Sequence, residues 1–177
     1  GEALMVADAS GGIFAFDGKS GEVLWSQKEI HDGSGLATSI HPSGTKFATA
    51  GKDGQVLVWD VSKGNVMQTL DAGSGWVENV VWSPDGQWLA ASCFRQVRVF
   101  NEDGQEIWQS DDHPSTVSTI AWSSSTELAT ACYGRVSFFE ATSGKLSQKL
   151  EWQGSLVSMV LSPDGDIVAC DSQDNTV

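Results

Sequence analysis

Basic residues are scarce in this chain, which has 10 Lys and Arg against 23 Asp and Glu and a formal net charge of −13 at pH 7. Such a chain is repelled by phosphate backbones and anionic headgroups, so we expect neither a nucleic acid nor a membrane as a partner. No run of about 18 apolar residues exists that could cross a bilayer. The first ten residues also lack the basic start and apolar run of a signal peptide. These absences predict a cytoplasmic location.

Cysteine is rare as well, with only Cys93, Cys132 and Cys170. An odd number without short-range pairing does not fit a disulfide framework and favours a reducing compartment. Helical periodicity is missing over any stretch of ten or more residues. The chain therefore contains few of the features that build helical, membrane-bound or disulfide-stapled proteins.

Short apolar runs separated by turn signals take the place of helices. In the stretch from Val77, "VENVVWS" predicts a strand that is buried on both faces. It is followed by the turn Pro84-Asp85-Gly86, in which Pro presets φ and Gly accepts a positive φ. "QVRVF" at 96–100 then alternates, with Val97 and Val99 on one face. Strands of this length at regular spacing predict an all-β fold.

Two sequence markers recur with the same period. Triplets similar to "VWD" end at residues 17, 60, 101 and 140, so the repeat is 39 to 43 residues long. Turns similar to "SPDG" start at residues 41, 83, 123 and 162, in constant phase with the triplets. A four-stranded antiparallel unit repeated at about forty residues predicts a β-propeller, in which neighbouring blades bury each other's faces.

The repeat divides the chain into five units of one propeller segment over residues 1–177. The predicted units are 1–29 (partial), 30–71, 72–111, 112–151 and 152–177 (partial), or about 4.5 blades. An open ring would leave unpaired sheet edges. We therefore expect the missing blades to come from the same, longer chain or from another chain.

The unit His31 to Asp60 resembles the WD-repeat family. In that family a His, a Ser or Thr, an Asp and the Trp of the third strand form a hydrogen-bonded structural set. The matching positions here are His31, Thr49, Asp53 and Trp59. The resemblance implies a seven-bladed ring that acts as a non-catalytic scaffold for protein binding.

The other units depart from this pattern together. The next unit has Gly73, Ala91 and Phe100 at these positions and no Asp. The unit after it keeps His113 and Thr130 but has Phe139 in place of Trp. The last keeps Asp174 but has Trp152 and Cys170 in place of the His and the Ser or Thr. Since Phe has no N–H to satisfy, loss of the whole set with the Trp indicates a structural role for the set.

A second resemblance concerns "AFDGKSGEVLWS" at 15–26, which is similar to the repeat of quinoprotein propellers, where a Gly and a Trp close each blade. It implies an alternative function as an alcohol or sugar dehydrogenase, or as a periplasmic scaffold. A hairpin turn rich in Asp, Ser and Gly explains the same stretch. A regulatory or sensory domain of a larger protein is a third alternative.

Catalytic and ligand-binding motifs are not found. There is no phosphate-binding GxxxxGK[ST] loop and no calcium loop. Two of the three His residues belong to the structural set, and His41, in the "HPSG" turn, is expected to be exposed. We accordingly predict no enzyme activity, no catalytic residue, no metal site and no cofactor.

One end of the predicted propeller is the best candidate for binding. In this phase, four loops (31–35, 72–76, 111–115 and 152–155) and four turns (Lys52, 94–96, 133–135 and 172–174) share one end, here called the top face. Aromatic residues and Arg, which dominate binding hot spots, are concentrated there: Trp76, Phe94, Arg95, Tyr133, Arg135 and Trp152. The two Arg residues suggest an acidic protein or peptide partner. Alternatively, Phe94 and Tyr133 fold inward and Trp76 caps its own blade.

Overall fold

The computed structural model describes residues 3–8 and 11–173, and in these residues every regular element is a β-strand. No helix long and apolar enough to cross a membrane occurs in this part of the chain. The first sheet has three antiparallel strands, β1 (Ala3–Ala7), β2 (Ile13–Asp17) and β3 (Val23–Gln27).

Two complete four-stranded antiparallel sheets follow. The second sheet contains β4 (Gly35–Ile40), β5 (Lys46–Gly51), β6 (Gln55–Asp60) and β7 (Val66–Asp71). The third contains β8 (Val77–Trp82), β9 (Trp88–Cys93), β10 (Gln96–Asn101) and β11 (Glu106–Gln109). In both sheets the strands pair in chain order, as expected when hairpins join successive strands.

The remaining strands form one hydrogen-bonded series. They are β12 (Thr119–Ser124), β13 (Glu127–Glu140), β14 (Leu146–Leu161) and β15 (Val168–Ser172).

Strand β13 folds back on itself. The Ala141 N–H donates to the Thr126 carbonyl at 2.8 Å, so residues at its two ends meet. The reversal lies at Tyr133-Gly134, where Gly134 has a φ of 84°. Counted in this way, β12, the two arms of β13 and the first part of β14 make a third four-stranded unit.

Strand β14 continues from this unit into the next. Its residues 146–155 pair with β13, whereas residues 156–161 pair with β15. A fifth, two-stranded unit begins there.

The apolar core lies between successive sheets. Ala48, Val58, Leu89 and Ala91, from the second and third sheets, belong to one buried cluster. Three further clusters fill the gaps before and after it. The first strands also pack together, β4 against β8 and β8 against β12, so the sheets are arranged around these innermost strands. This architecture confirms the predicted all-β, propeller-type fold; the residue limits of the five units remain a prediction.

The predicted turns show the expected backbone. Gly86 has a φ of 76° and Gly165 a φ of 78° in the two "SPDG" turns. In the first of these turns the Ser83 hydroxyl donates to Asp85 and accepts the Trp88 N–H, at 2.6 and 3.0 Å. The Ser83 hydroxyl therefore satisfies the backbone N–H of Trp88 at the end of this turn.

Tryptophans on the outer strands attach neighbouring sheets to each other. The Trp25 indole N–H donates to the Val61 carbonyl at 2.9 Å, and the Trp108 indole N–H to the Ala141 carbonyl at 2.6 Å. Each ring lies against a glycine, Gly64 or Gly144, where an added Cβ would collide with the indole. These Gly–Trp contacts join one blade to the next rather than closing a blade on itself.

The two contacts allow a matched stability test. Trp108→Phe should lower the free energy of unfolding by about 1–3 kcal/mol, because it leaves the Ala141 carbonyl without its buried donor. Trp25→Phe should cost less, since Trp25 is only half-buried and water can replace its N–H. Urea denaturation of the two variants and the wild type measures the difference, and an equal or larger cost at Trp25 would contradict this account.

Candidate functional site

The four residues of the WD-type set are in direct contact. The His31 Nδ1 lies 3.0 Å from Asp53 Oδ1, and its Nε2 lies 2.9 Å from Thr49 Oγ1. The Trp59 indole N–H donates to the same Thr49 oxygen at 3.0 Å. Because Thr49 has one hydroxyl proton, it donates this proton to His31 Nε2, and Nδ1–H donates to Asp53. His31, Thr49 and Trp59 are each no more than 3% exposed, so this chain of bonds ties a loop and a turn to two buried strands.

The backbone under the ring is adapted to this set. A Cβ on Gly51 would lie 2.5 Å from the His31 ring, so only glycine allows the imidazole to reach Thr49. This restriction is visible in the sequence only as one glycine among 19.

The fourth blade has a shortened version of the set. The His113 Nδ1–H donates to the Arg95 backbone carbonyl at 2.9 Å, and Nε2 lies 3.0 Å from Thr130 Oγ1. A backbone carbonyl thus takes the place of the missing Asp. Phe139 replaces the tryptophan, with its ring centroid 5.8 Å from that of His113. Burial lowers the pKa of His113, although the hydrogen bond to Arg95 opposes the shift.

The third and fifth blades lack the set. In the third, Ala91 and Phe100 are buried in an apolar cluster, and a Cβ on Gly73 would lie 2.9 Å from Cys93 Sγ. In the fifth, Cys170 is half-buried, and burial raises the pKa of its thiol. Asp174 lies outside the described residues.

The expectation that His41 is exposed was wrong. Its side chain is buried, with Nε2 at 3.1 Å from the Gly86 carbonyl and its ring edge-on to Trp82. The Ser43 N–H donates to Nδ1 at 3.1 Å, so Nε2 carries the proton. His41 therefore links the "HPSG" turn of one blade to the "SPDG" turn of the next, a contact that only the packing of neighbouring blades creates.

The predicted top-face segments are bonded to one another. The Ala72 N–H donates to the Gly54 carbonyl at 2.9 Å, and the His113 N–H to the Arg95 carbonyl at 2.8 Å. The Gln173 N–H donates to the Ser155 carbonyl at 2.9 Å. The first two bonds tie a turn between second and third strands to the loop that leads into the next blade, and the third ties such a turn to the loop that leads into its own blade.

The predicted aromatic residues point outward. Trp76 is 47% exposed, Phe94 54%, Tyr133 58% and Trp152 47%. Phe94 and Tyr133 consequently do not fold inward to replace the missing Asp. Trp76 does not simply cap its own blade either, because Lys52 Nζ of the preceding blade lies 4.4 Å from its ring centroid.

Local contacts order these side chains. The Phe94 ring lies against Gly75, next to Trp76, because a Cβ on Gly75 would collide with it. Phe94 also has a φ of 51°, which is rare for a bulky residue. The Tyr133 N–H donates to Ser115 Oγ at 2.9 Å. Phe94 is therefore next to Trp76, and Tyr133 is anchored one blade further along.

The two arginines of the top face differ in their partners. Arg95 Nε donates to the His113 carbonyl at 2.6 Å, and its Nη2 lies 3.8 Å from Asp112. Arg135 lines a cleft of about 320 Å³ together with Asp111 and Asp112, but it forms no ion pair with a described residue, and its buried Nε has no hydrogen-bond partner. Only the charge of Arg95 is therefore partly neutralised before any partner arrives.

The sequence reasoning missed one feature of this face. An open recess of about 630 Å³ is lined by Glu78 and Tyr133, among others. The only signal was an acidic residue near the start of the apolar strand "VENVVW", and the pattern does not show that the residue is exposed.

The two hydrogen-bonded sets allow a second matched test. Thr49→Val removes the partner of both His31 and Trp59, whereas Thr130→Val removes the side-chain partner of His113 and a long contact of 3.5 Å to the Ser137 carbonyl. We expect losses in the free energy of unfolding of about 2–4 kcal/mol and about 1–2 kcal/mol, respectively. Chemical denaturation measures both values, and a larger loss for Thr130→Val would refute the proposed sharing of the Thr49 hydroxyl.

The pKa of His113 predicts a pH dependence. Its folded-state pKa is lowered from the ordinary 6.5, so the unfolded chain binds this proton more readily. The stabilisation from neutral His113 is therefore complete above pH 6.5 and falls as the pH drops below that value. The decrease in urea midpoint between pH 7.5 and 5.5 should be smaller in His113→Gln than in the wild type; an unchanged decrease would contradict this prediction.

Comparison with known proteins agrees with the WD-type repeat that the sequence predicts. The family described as "WD domain, G-beta repeat" matches residues 64–101, and the family described as "Outer membrane protein assembly factor BamB" matches residues 1–82. Both families thus match part of the chain.

Individual relatives are small ribosomal subunit proteins. The chain is similar to RACK1y of Oryza sativa subsp. japonica, with 31% identity over 86 residues, or 49% of this chain and 25% of that protein. RACK1z of the same plant is 33% identical over 81 residues, covering 46% of this chain and 24% of that protein. RACK1 of Glycine max is 31% identical over 77 residues, covering 44% and 23%. The chain spans about a quarter of the length of the curated relatives it matches. Together with the four-stranded sheets, these matches support the resemblance of the chain to the WD-repeat family.

Proposed function

We propose that this chain is part of a non-catalytic β-propeller scaffold that binds a protein or peptide on its top face. The observation that carries the proposal is the exposure of four aromatic side chains on neighbouring loops of one end. Large aromatic side chains are costly to leave in water and dominate binding hot spots. Their loops are held by backbone bonds between blades, so the surface is preorganised for binding.

The relatives support this role in general terms. They are ribosomal subunit proteins by name, and a ribosomal protein functions within an assembly. We propose by analogy that this chain also acts among protein partners in the cytoplasm. The blades needed to close the ring come, in this proposal, from the same longer chain or from another chain.

Phe94 adds support of a different kind. A left-handed backbone costs energy for a bulky residue, and such strain often occurs at functional sites. Here the strained turn holds the Phe94 ring in solvent beside Trp76. The strain is accounted for if the exposed ring contacts a partner.

A second candidate comes from the match of residues 1–82 to an outer membrane assembly factor. The Trp25–Gly64 contact lies within this segment, in agreement with the resemblance of 15–26 to quinoprotein propellers. The description of that family is of an assembly factor, which favours a scaffold over an oxidoreductase. Dehydrogenase activity after addition of a quinone cofactor and calcium would favour the enzyme.

Substitution on the top face tests the binding proposal. Trp76→Ala and Arg95→Ala should each weaken capture of partners from a lysate by about tenfold or more, as expected for hot-spot residues. The free energy of unfolding should change by less than about 0.5 kcal/mol at exposed Trp76.

Matched controls lie away from the top face. Leu24→Ala removes an exposed apolar side chain from β3, and Lys63→Ala removes an exposed basic side chain from the turn between β6 and β7 at the opposite end. Quantitative comparison of the captured proteins should show losses in the top-face variants alone. Equal capture by all four variants would refute the site.

A further inference from the structure

We infer that the recess beside Tyr133 receives a cationic side chain, Arg or Lys, of the protein partner. This inference rests on the proposed scaffold function and specifies the partner's chemistry. It differs from the acidic partner suggested by the sequence.

Glu78 is the charged group of the recess. Its side chain is exposed at the second position of β8, directly after the top-face loop 72–76. It forms no hydrogen bond or ion pair with any other residue that the structure describes. A carboxylate without a cation, on a chain of net charge −13, attracts positive groups and repels an acidic partner.

Two of the four Ser and Thr hydroxyls that line the recess, those of Ser115 and Ser118, are already engaged. Ser118 Oγ donates to the Leu156 carbonyl at 2.6 Å, and Ser115 Oγ accepts the Tyr133 N–H at 2.9 Å. The carboxylate of Glu78 is therefore the acceptor that remains open to a ligand in this group of three. A donor entering the recess would pair with it.

The aromatic ring of Tyr133 is the second group of the recess that attracts a cation. Its side chain is 58% exposed, and a ring of this kind attracts a cation to its face. The chain already shows the same interaction one blade away, where Lys52 Nζ lies 4.4 Å from the Trp76 ring centroid. Val157, 45% exposed, offers apolar contact to the methylene stem of Arg or Lys.

Both arginines of the top face lie outside this recess. Arg95 is 3.8 Å from Asp112. Arg135 forms no ion pair with a described residue, and it lines a separate cleft with Asp111 and Asp112. The charged residue that lines the recess itself is Glu78.

Titration of the full chain with two short peptides tests the inference. Acetyl-Gly-Arg-Gly-amide should shift the NMR amide signals of residues 77–79, 115–118 and 133, and the shifts should weaken with added salt. Acetyl-Gly-Glu-Gly-amide should leave these signals in place. Absence of shifts with the Arg peptide, or equal shifts with the Glu peptide, would overturn the inference.

Three variants test whether the Arg peptide binds in this recess. Glu78→Gln keeps the shape of the side chain and should weaken Arg-peptide binding about two- to fivefold, the range expected for an exposed ion pair. Tyr133→Ser should weaken it through loss of the ring. Asp171→Asn, which removes an exposed carboxylate outside the recess, should leave it unchanged. Unchanged binding in both Glu78→Gln and Tyr133→Ser would reject the site.

The result can be separated from that of the scaffold proposal. If Trp76→Ala abolishes partner capture while Glu78→Gln affects neither capture nor peptide binding, the top face binds a partner but the recess assignment is wrong. If the Arg peptide binds at Glu78 while all top-face variants capture partners normally, the recess is real and the scaffold proposal is wrong.

Discussion

The structure depends on the burial of each small sheet's faces against its neighbours. A three- or four-stranded sheet has two faces and too few residues to cover both, so its apolar side chains are buried only when other sheets stand beside it. The four apolar clusters lie in these gaps between sheets. Stability of each blade is therefore shared with the next, and the other features described here refine this arrangement.

Polar side chains make the arrangement specific. Where a buried tryptophan is present, as at Trp59, a hydroxyl and an imidazole carry its hydrogen bond out to Asp53. Where Phe139 replaces it, the set shortens to His113 and Thr130 and ends on a backbone carbonyl. The third blade, with Phe100, has no set. The coordinated loss follows from the cost of a buried donor or acceptor without a partner.

The sequence predicted what is determined within one repeat and missed what arises between repeats. The period and the strand order follow from spacing that is local to the chain, and the set His31, Thr49, Asp53 and Trp59 was implied by the resemblance of one repeat to the WD-repeat family. The burial of His41 and the contact of Trp25 with Gly64 depend on residues of a neighbouring blade, 45 and 39 positions away, so no local pattern reveals them. The same limit applies to the top face: residue types indicated a binding surface, but only the positions of Asp112 and Glu78 show which charges are open.

The course of β14 makes the connection between the last two units short. Elsewhere a loop joins the outer strand of one sheet to the inner strand of the next. In β14 one strand from Leu146 to Leu161 serves both positions, and only residues 152–154, with Gly154 at a φ of 150°, lie unpaired between its two parts. The joint between the fourth unit and the fifth is therefore reduced to these three residues, next to the recess that Ser155 and Val157 line.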